Sequence, residues 1–189
     1  MTLSFEDAYQ VLNSNLESNA GRYYGPTGSL PLGTGLLYNS VRFPMFVAEE
    51  AIYYTVEGFV YILTHECDVD QDNQRPFNRD VVFCPILPFE AFFDQVLKLV
   101  SPDKQGNFLT ALAKREVSRL VYMPTPNQAL PYGGVMNLNR ISSTDISAFN
   151  YGDAKCLASV STYGLREIDF VLQNHLFRPK SADLPLTRH

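Results

Sequence analysis

One stretch narrows the fold choices more than any other. Phe59-Val60-Tyr61-Ile62-Leu63 runs straight into Thr64-His65-Glu66-Cys67-Asp68-Val69-Asp70-Gln71-Asp72. Five consecutive apolar residues show neither the alternation of a half-exposed strand nor the spacing of a surface helix. A run this short, apolar on both faces, predicts a central strand covered above and below. The polar cluster behind it concentrates groups that titrate or bind metal, which makes it the first candidate site.

The elements predicted around that strand follow from capping and turn chemistry. Ser4 and Asp7 form a variant capping box ahead of Ala8, Val11, Leu12 and Leu16, so an amphipathic helix is expected from Phe5 to Glu17. Residues 21–35 are rich in Gly, Pro, Ser and Thr and read as a flexible loop. Gly33-Thr34-Gly35 precedes a strand-like run with no Gly-Lys-Ser/Thr behind it, which excludes a phosphate loop. Short strands are predicted at 35–38, 43–48 and 51–56, with Glu57-Gly58 as a tight hairpin turn into a strand over 59–67. Val81 to Leu87 is another strand, which Pro85 places near an edge or a bulge. Helices are expected at 90–100, 106–115 and 166–177, and further strands at 119–123, 135–138 and 154–159. The whole is one α+β domain over 1–189. It comprises an N-terminal helix (1–20), the loop (21–35), a strand-rich body with inserted helices (36–178) and a loose tail (179–189). Lacking βαβ alternation, it should form a small, strongly bent antiparallel sheet or a partly open barrel.

Charge narrows the partners. The net charge is −5 and the pI about 5.1, without the basic footprint from which nucleic-acid binders draw their affinity. The closest basic pairing, Lys114-Arg115, falls in a helical pattern and reads as a solvated face. Nucleic acid is therefore not favoured, and a protein is the expected partner. Three cysteines, Cys67, Cys84 and Cys156, form no paired spacing. No basic n-region precedes Glu6 and Asp7, and no apolar run approaches a membrane span. The expectation is a cytoplasmic protein with reduced thiols and no membrane association.

Several chemistries can be built from the polar cluster. On one strand face His65 and Cys67 could share a zinc ion, with Cys84 from the next strand as third ligand. Asp68, Asp70 and Asp72 alternate like the start of a calcium loop, but the sixth and twelfth positions hold Asn73 and Arg79, which excludes an EF-hand. Two of these carboxylates could hold magnesium for phosphate-ester chemistry. The structural alternative is that they cap the strand end through local backbone bonds. A His65–Cys67 nucleophile pair would need a bulge to meet, and His175 could approach only through tertiary folding. Tyr23, Tyr24, Tyr53, Tyr54 and Tyr61 could line a groove or partner surface, or simply fill the core.

The segment Thr64-His65-Glu66-Cys67-Asp68-Val69 resembles the mark of a group of small bacterial and phage-borne proteins, an apolar strand running into Ser/Thr-x-x-Cys-Asp-Ile/Val/Leu. Arg119 to Pro124, Val135 to Ile141, and Ala158 to Ser161 with Gly164 to Arg166 look similar to later pieces of that group. The group distantly resembles SH3-like barrels of the MazF/PemK toxin class, which cut RNA, although Asn137 stands where an acidic residue belongs. The resemblance implies an SH3-like barrel with inserted and flanking helices and a phage or bacterial defence setting. Three functions follow: a binding or regulatory module with a protein partner and no cofactor; a ribonuclease-like enzyme using the Cys67–Asp72 region, with Asp68, Asp70 and His65 acting and Arg75 or Arg79 steadying phosphate; or a domain stabilised by zinc on His65, Cys67 and Cys84.

Overall fold

The computed structural model describes residues 2–16, 20–26, 30–47, 50–70, 72–73, 79–150 and 153–176. Arg75, His189 and the 179–189 tail lie outside them.

Helix α1 (Phe5–Leu16) begins as its capping box dictates: Asp7 N donates to Ser4 Oγ at 3.1 Å, and Ser4 Oγ donates to Asp7 Oδ2 at 2.7 Å. The strands are β1 (Tyr24–Gly25), β2 (Leu36–Val47), β3 (Ile52–Ile62), β4 (Asp80–Pro88), β5 (Leu120–Met123), β6 (Gly134–Asn137), β7 (Ser142–Asp145) and β8 (Lys155–Val160). All pair antiparallel in one sheet of order β1-β8-β2-β3-β4-β6-β5, and β7 pairs the first half of β4. Helices α2 (Glu66–Val69), α3 (Phe89–Gln95), α4 (Gln105–Ala113) and α5 (Thr162–Leu176) complete the α+β architecture. None of the described helices is long and apolar enough to cross a membrane.

The eight-stranded sheet is not closed into a barrel. Its edges nevertheless approach each other. Tyr24, on edge strand β1, donates its hydroxyl to Pro124 O at 2.6 Å, one residue past the opposite edge strand β5. Tyr23 donates to Met123 Sδ at 3.4 Å, and Asn127 Nδ2 reaches Leu157 O on β8 at 3.0 Å. Inside the curl, Tyr61, Cys84, Ile86, Val121, Met123 and Met136 pack with Ile168 and Val171 of α5. Strand alternation sends the other side chains to the opposite face. There Leu120, Tyr122 and Val135 meet α1, α3 and α4, while Val60, Ile62, Val81 and Phe83 form a third cluster with Val69 and Phe149. The central strand is thus covered on both faces, as Phe59–Leu63 requires.

Several boundaries differ from expectation. The two strands expected at 35–38 and 43–48 are one twelve-residue strand, bulged between Tyr38 and Val41, with Ser40 at φ +52°. The hairpin turn includes Glu50-Ala51; Glu57-Gly58 lies inside β3, where Gly58 faces Val41 at that bulge. A glycine between two β-rich runs marks a bulge as readily as a turn. Pro85 sits in a central strand, paired with Val60, at the break where β4 changes outer partner from β7 to β6. Its missing N–H therefore removes no ladder bond. The loop at 21–35 also contributes β1, and β7 (Ser-Ser-Thr-Asp) has no apolar pattern by which to be read.

Gly133 holds a φ of +68°, and a Cβ there would sit 2.1 Å from Met123 O. Gly133→Ala should lose about 2–4 kcal/mol in urea unfolding through strain and overpacking. Gly106→Ala, within α4 and facing open space, should gain up to about 1 kcal/mol in the same assay.

Candidate functional site

The polar segment leaves the sheet before its chemistry begins. Leu63 N and Thr64 N both donate to Val82 O, at 2.9 and 3.2 Å, and Val82 N donates to Thr64 Oγ1 at 2.6 Å. β3 stops there, so the strand alternation expected for His65 to Asp68 does not apply. His65 is instead the N-cap of α2: with φ −68° and ψ 145°, its Nδ1 accepts from Cys67 N at 3.2 Å. Its Nε2 lies 3.6 Å from Glu66 Oε1. Neither nitrogen bonds the Cys67 thiol, and no nucleophile pair forms.

The aspartates do local work. Asp70 is the C-cap residue; its Oδ1 accepts from Asp72 N at 3.0 Å and its carbonyl from Asn73 N at 3.1 Å. Asn73 Nδ2 returns to Cys67 O at 3.0 Å. Asp68 is exposed on α2. A cavity of about 270 Å³ lies alongside, lined by Pro31, Leu32, Glu66, Cys67, Val69, Asp70 and Ile146. It has an apolar floor and an acidic rim, and among the described residues no cationic one lines it.

The proposed zinc ligands separate. Cys67 is exposed, whereas Cys84 is buried between β3 and β6 with its thiol directed at Asn137 O, 3.4 Å away. Burial pushes the Cys84 thiol up to about 12, although the Asn137 contact opposes the shift. Among the described residues no three His, Cys, Asp or Glu converge as metal ligands. Arg79 is committed elsewhere: Nε and Nη2 grip the two carboxylate oxygens of Asp145 at 2.9 and 3.0 Å, fixing the start of β4 to the end of β7. His175 stands in the last turn of α5.

A second cavity, about 220 Å³, opens at the seam between the sheet edges. Asn15 and Leu16 of α1, Tyr23, Ala113-Lys114-Arg115, Pro124, and Tyr163 and Glu167 of α5 line it. α4 ends at Ala113, and Arg115 turns the chain at φ +63°, which carries its side chain inward to 5% exposure. One terminal nitrogen donates to Tyr122 O, and the guanidinium carbon lies 5.6 Å from the Tyr23 ring centroid. Nε has no hydrogen-bond partner; Glu167 Oε2 stands 3.7 Å away. Lys114 stays exposed, and Arg22 lies over the Tyr163 ring at 5.0 Å. Burial raises the Tyr23 phenol to about 12, partly offset by Arg115. The signal for this cavity was the Lys114-Arg115 pair. It reads as solvated only if the helix continues through it.

No protein-family model and no curated protein matches this chain.

Two measurements check this geometry. Iodoacetamide should label Cys67 first in the native protein and Cys156, also exposed but with its thiol raised by partial desolvation, more slowly. Cys84 should react only as fast as the protein unfolds, because only a thiolate within reach is nucleophilic. The Asp145 carboxyl, held well below the usual range by Arg79 and by Ser147, should remain ionised through about pH 3.9 by NMR and titrate at higher pH in Arg79→Ala, short of the free value because Ser147 N still donates to Oδ1. A depressed folded value stabilises the native state above the unfolded value. That contribution, small at an exposed pair, fades as pH falls through the folded value.

Proposed function

We propose that the chain is a protein-binding module that docks through the β2–β3 ribbon, with a second copy of itself as partner. One observation carries this reading: the two strands run past every neighbour. β8 pairs β2 only at 36–39, and β4 pairs β3 only at 59–62, so the rest of the hairpin has two open edges among the described residues. Phe46 and Tyr53 face each other across it at 5.1 Å between ring centroids, 48% and 72% exposed. With Pro44 and Thr55 they occupy one face; Met45, Tyr54, Val47 and Ile52 occupy the other. Only the base is anchored, where Phe43 tilts against Phe83 at 5.2 Å.

A free two-stranded hairpin is marginal in water, and an apolar open edge is a template for another strand. A symmetric pairing of two such edges would complete the backbone bonds and bury aromatics from both copies. Within the strands Arg42 and Glu57 neutralise each other across the ladder at 3.3 Å, while Glu50 keeps a negative charge at the turn, which salt would screen. Without the residues paired to β8 and β4 the ribbon offers 40–47 and 52–58, fewer than the roughly 20–30 residues per partner of a stable interface, so the dimer should be weak and concentration-dependent.

Sedimentation velocity from low to high micromolar concentration tests this. The wild-type protein should shift from monomer to dimer. Phe46→Ser/Tyr53→Ser, with unchanged circular dichroism, should weaken the dimer at least about 30-fold, the effect of losing one hot-spot aromatic. A wild-type monomer at every concentration would contradict the proposal.

A further inference from the structure

The geometry points to Arg115 as the anchor of a binding site for a small oxyanion, a carboxylate or a phosphate, which docks in the seam cavity in place of the Glu167 carboxylate. Arginine is seldom placed at positive φ, where the backbone conformation disfavours bulky side chains. Here that conformation takes a permanent charge almost out of solvent, with its side chain 5% exposed. Tyr122 O and the Tyr23 ring hold the guanidinium in one orientation. The Nε edge is left over. A buried charged donor without an acceptor is costly, and Glu167 at 3.7 Å stands beyond hydrogen-bond distance.

A planar fork with one unserved edge is what a bidentate oxyanion takes up, and a fixed arginine loses little freedom in doing so. Glu167, 37% exposed on α5, can turn outward to vacate the position. Lys114 on the rim makes no ion pair among the described residues, and Arg22 adds positive charge over Tyr163. Leu16, Ala113 and Pro124 supply an apolar lining that strengthens charge interactions. At about 220 Å³ the cavity suits a compact ligand, below the roughly 300–1,000 Å³ of drug-sized pockets. The β2–β3 ribbon contributes no residue to this cavity, so the site stands or falls independently of dimerisation.

Calorimetric titration of the full chain with inorganic phosphate, and separately with acetate, tests the site at constant ionic strength with chloride as the reference anion. Saturable binding of either ion is expected; which one binds identifies the oxyanion. Glu167→Gln removes the competing carboxylate and should tighten binding about fivefold, and Lys114→Ala should weaken it by a similar factor. Arg115→Lys keeps the charge but loses the fork and should abolish binding. If that variant fails to fold, the opposite responses of the other two decide the matter. The absence of saturable heat with both ions, or equal affinity in the wild type, Glu167→Gln and Lys114→Ala, would overturn the assignment.

Discussion

An antiparallel sheet that curls without closing must join its edges by something other than a backbone ladder, and here tyrosines do it. The Tyr24 hydroxyl on Pro124 O and the Tyr23 hydroxyl on Met123 Sδ bring β1 to the end of β5. Tyr23 is buried and Tyr24 half-buried, and removal of both hydroxyls from solvent drives their pKa upward, so they remain neutral donors. Each such bond contributes only about 1 kcal/mol net, but a buried donor stripped of its acceptor costs more. The seam therefore opens reluctantly. Behind it lies the cluster of Tyr61, Cys84, Ile86, Met123 and Met136, which α5 covers.

The places where backbone pairing is incomplete are also those on which the proposed self-association and anion binding rest. At the seam the missing ladder leaves room for a cavity, and the turn after α4 directs Arg115 into it. At the other extreme, β2 and β3 outrun β8 and β4 and expose aromatics with no cover among the described residues. By contrast, several polar groups of the 65–73 stretch bond within it. His65 caps α2, Asp70 receives Asp72 N and Asn73 N, and Asn73 bonds back to Cys67 O.

The legible parts of the fold were those set by local chemistry. The Ser4–Asp7 box located α1, and the two-sided apolar run located the heart of β3. Both depend on near neighbours in the chain. Gly58 and Pro85 misled because their meaning depends on what lies opposite: a bulge in β2, and a break between β7 and β6. β7 exists because β4 has an edge to offer, which Ser142–Asp145 does not announce. Of the candidate site, the cluster at 65–72 was visible as composition. Its dissolution into caps was not, because it turns on Leu63 and Thr64 both bonding Val82 O, which ends the strand early. Arg115 was hidden for a similar reason: one residue at positive φ separates a solvated helical face from a buried cation.

We propose that function resides where the sheet is unfinished, foremost in the projecting ribbon. Residue-resolved hydrogen exchange at increasing protein concentration tests it most directly. Outer-edge amides of 41–47 and 52–58 should exchange quickly in dilute protein and gain protection as concentration rises. Val60 to Ile62 should stay protected throughout, exchanging only with global unfolding. Ribbon amides already protected in dilute protein, or fast at every concentration, would contradict the account.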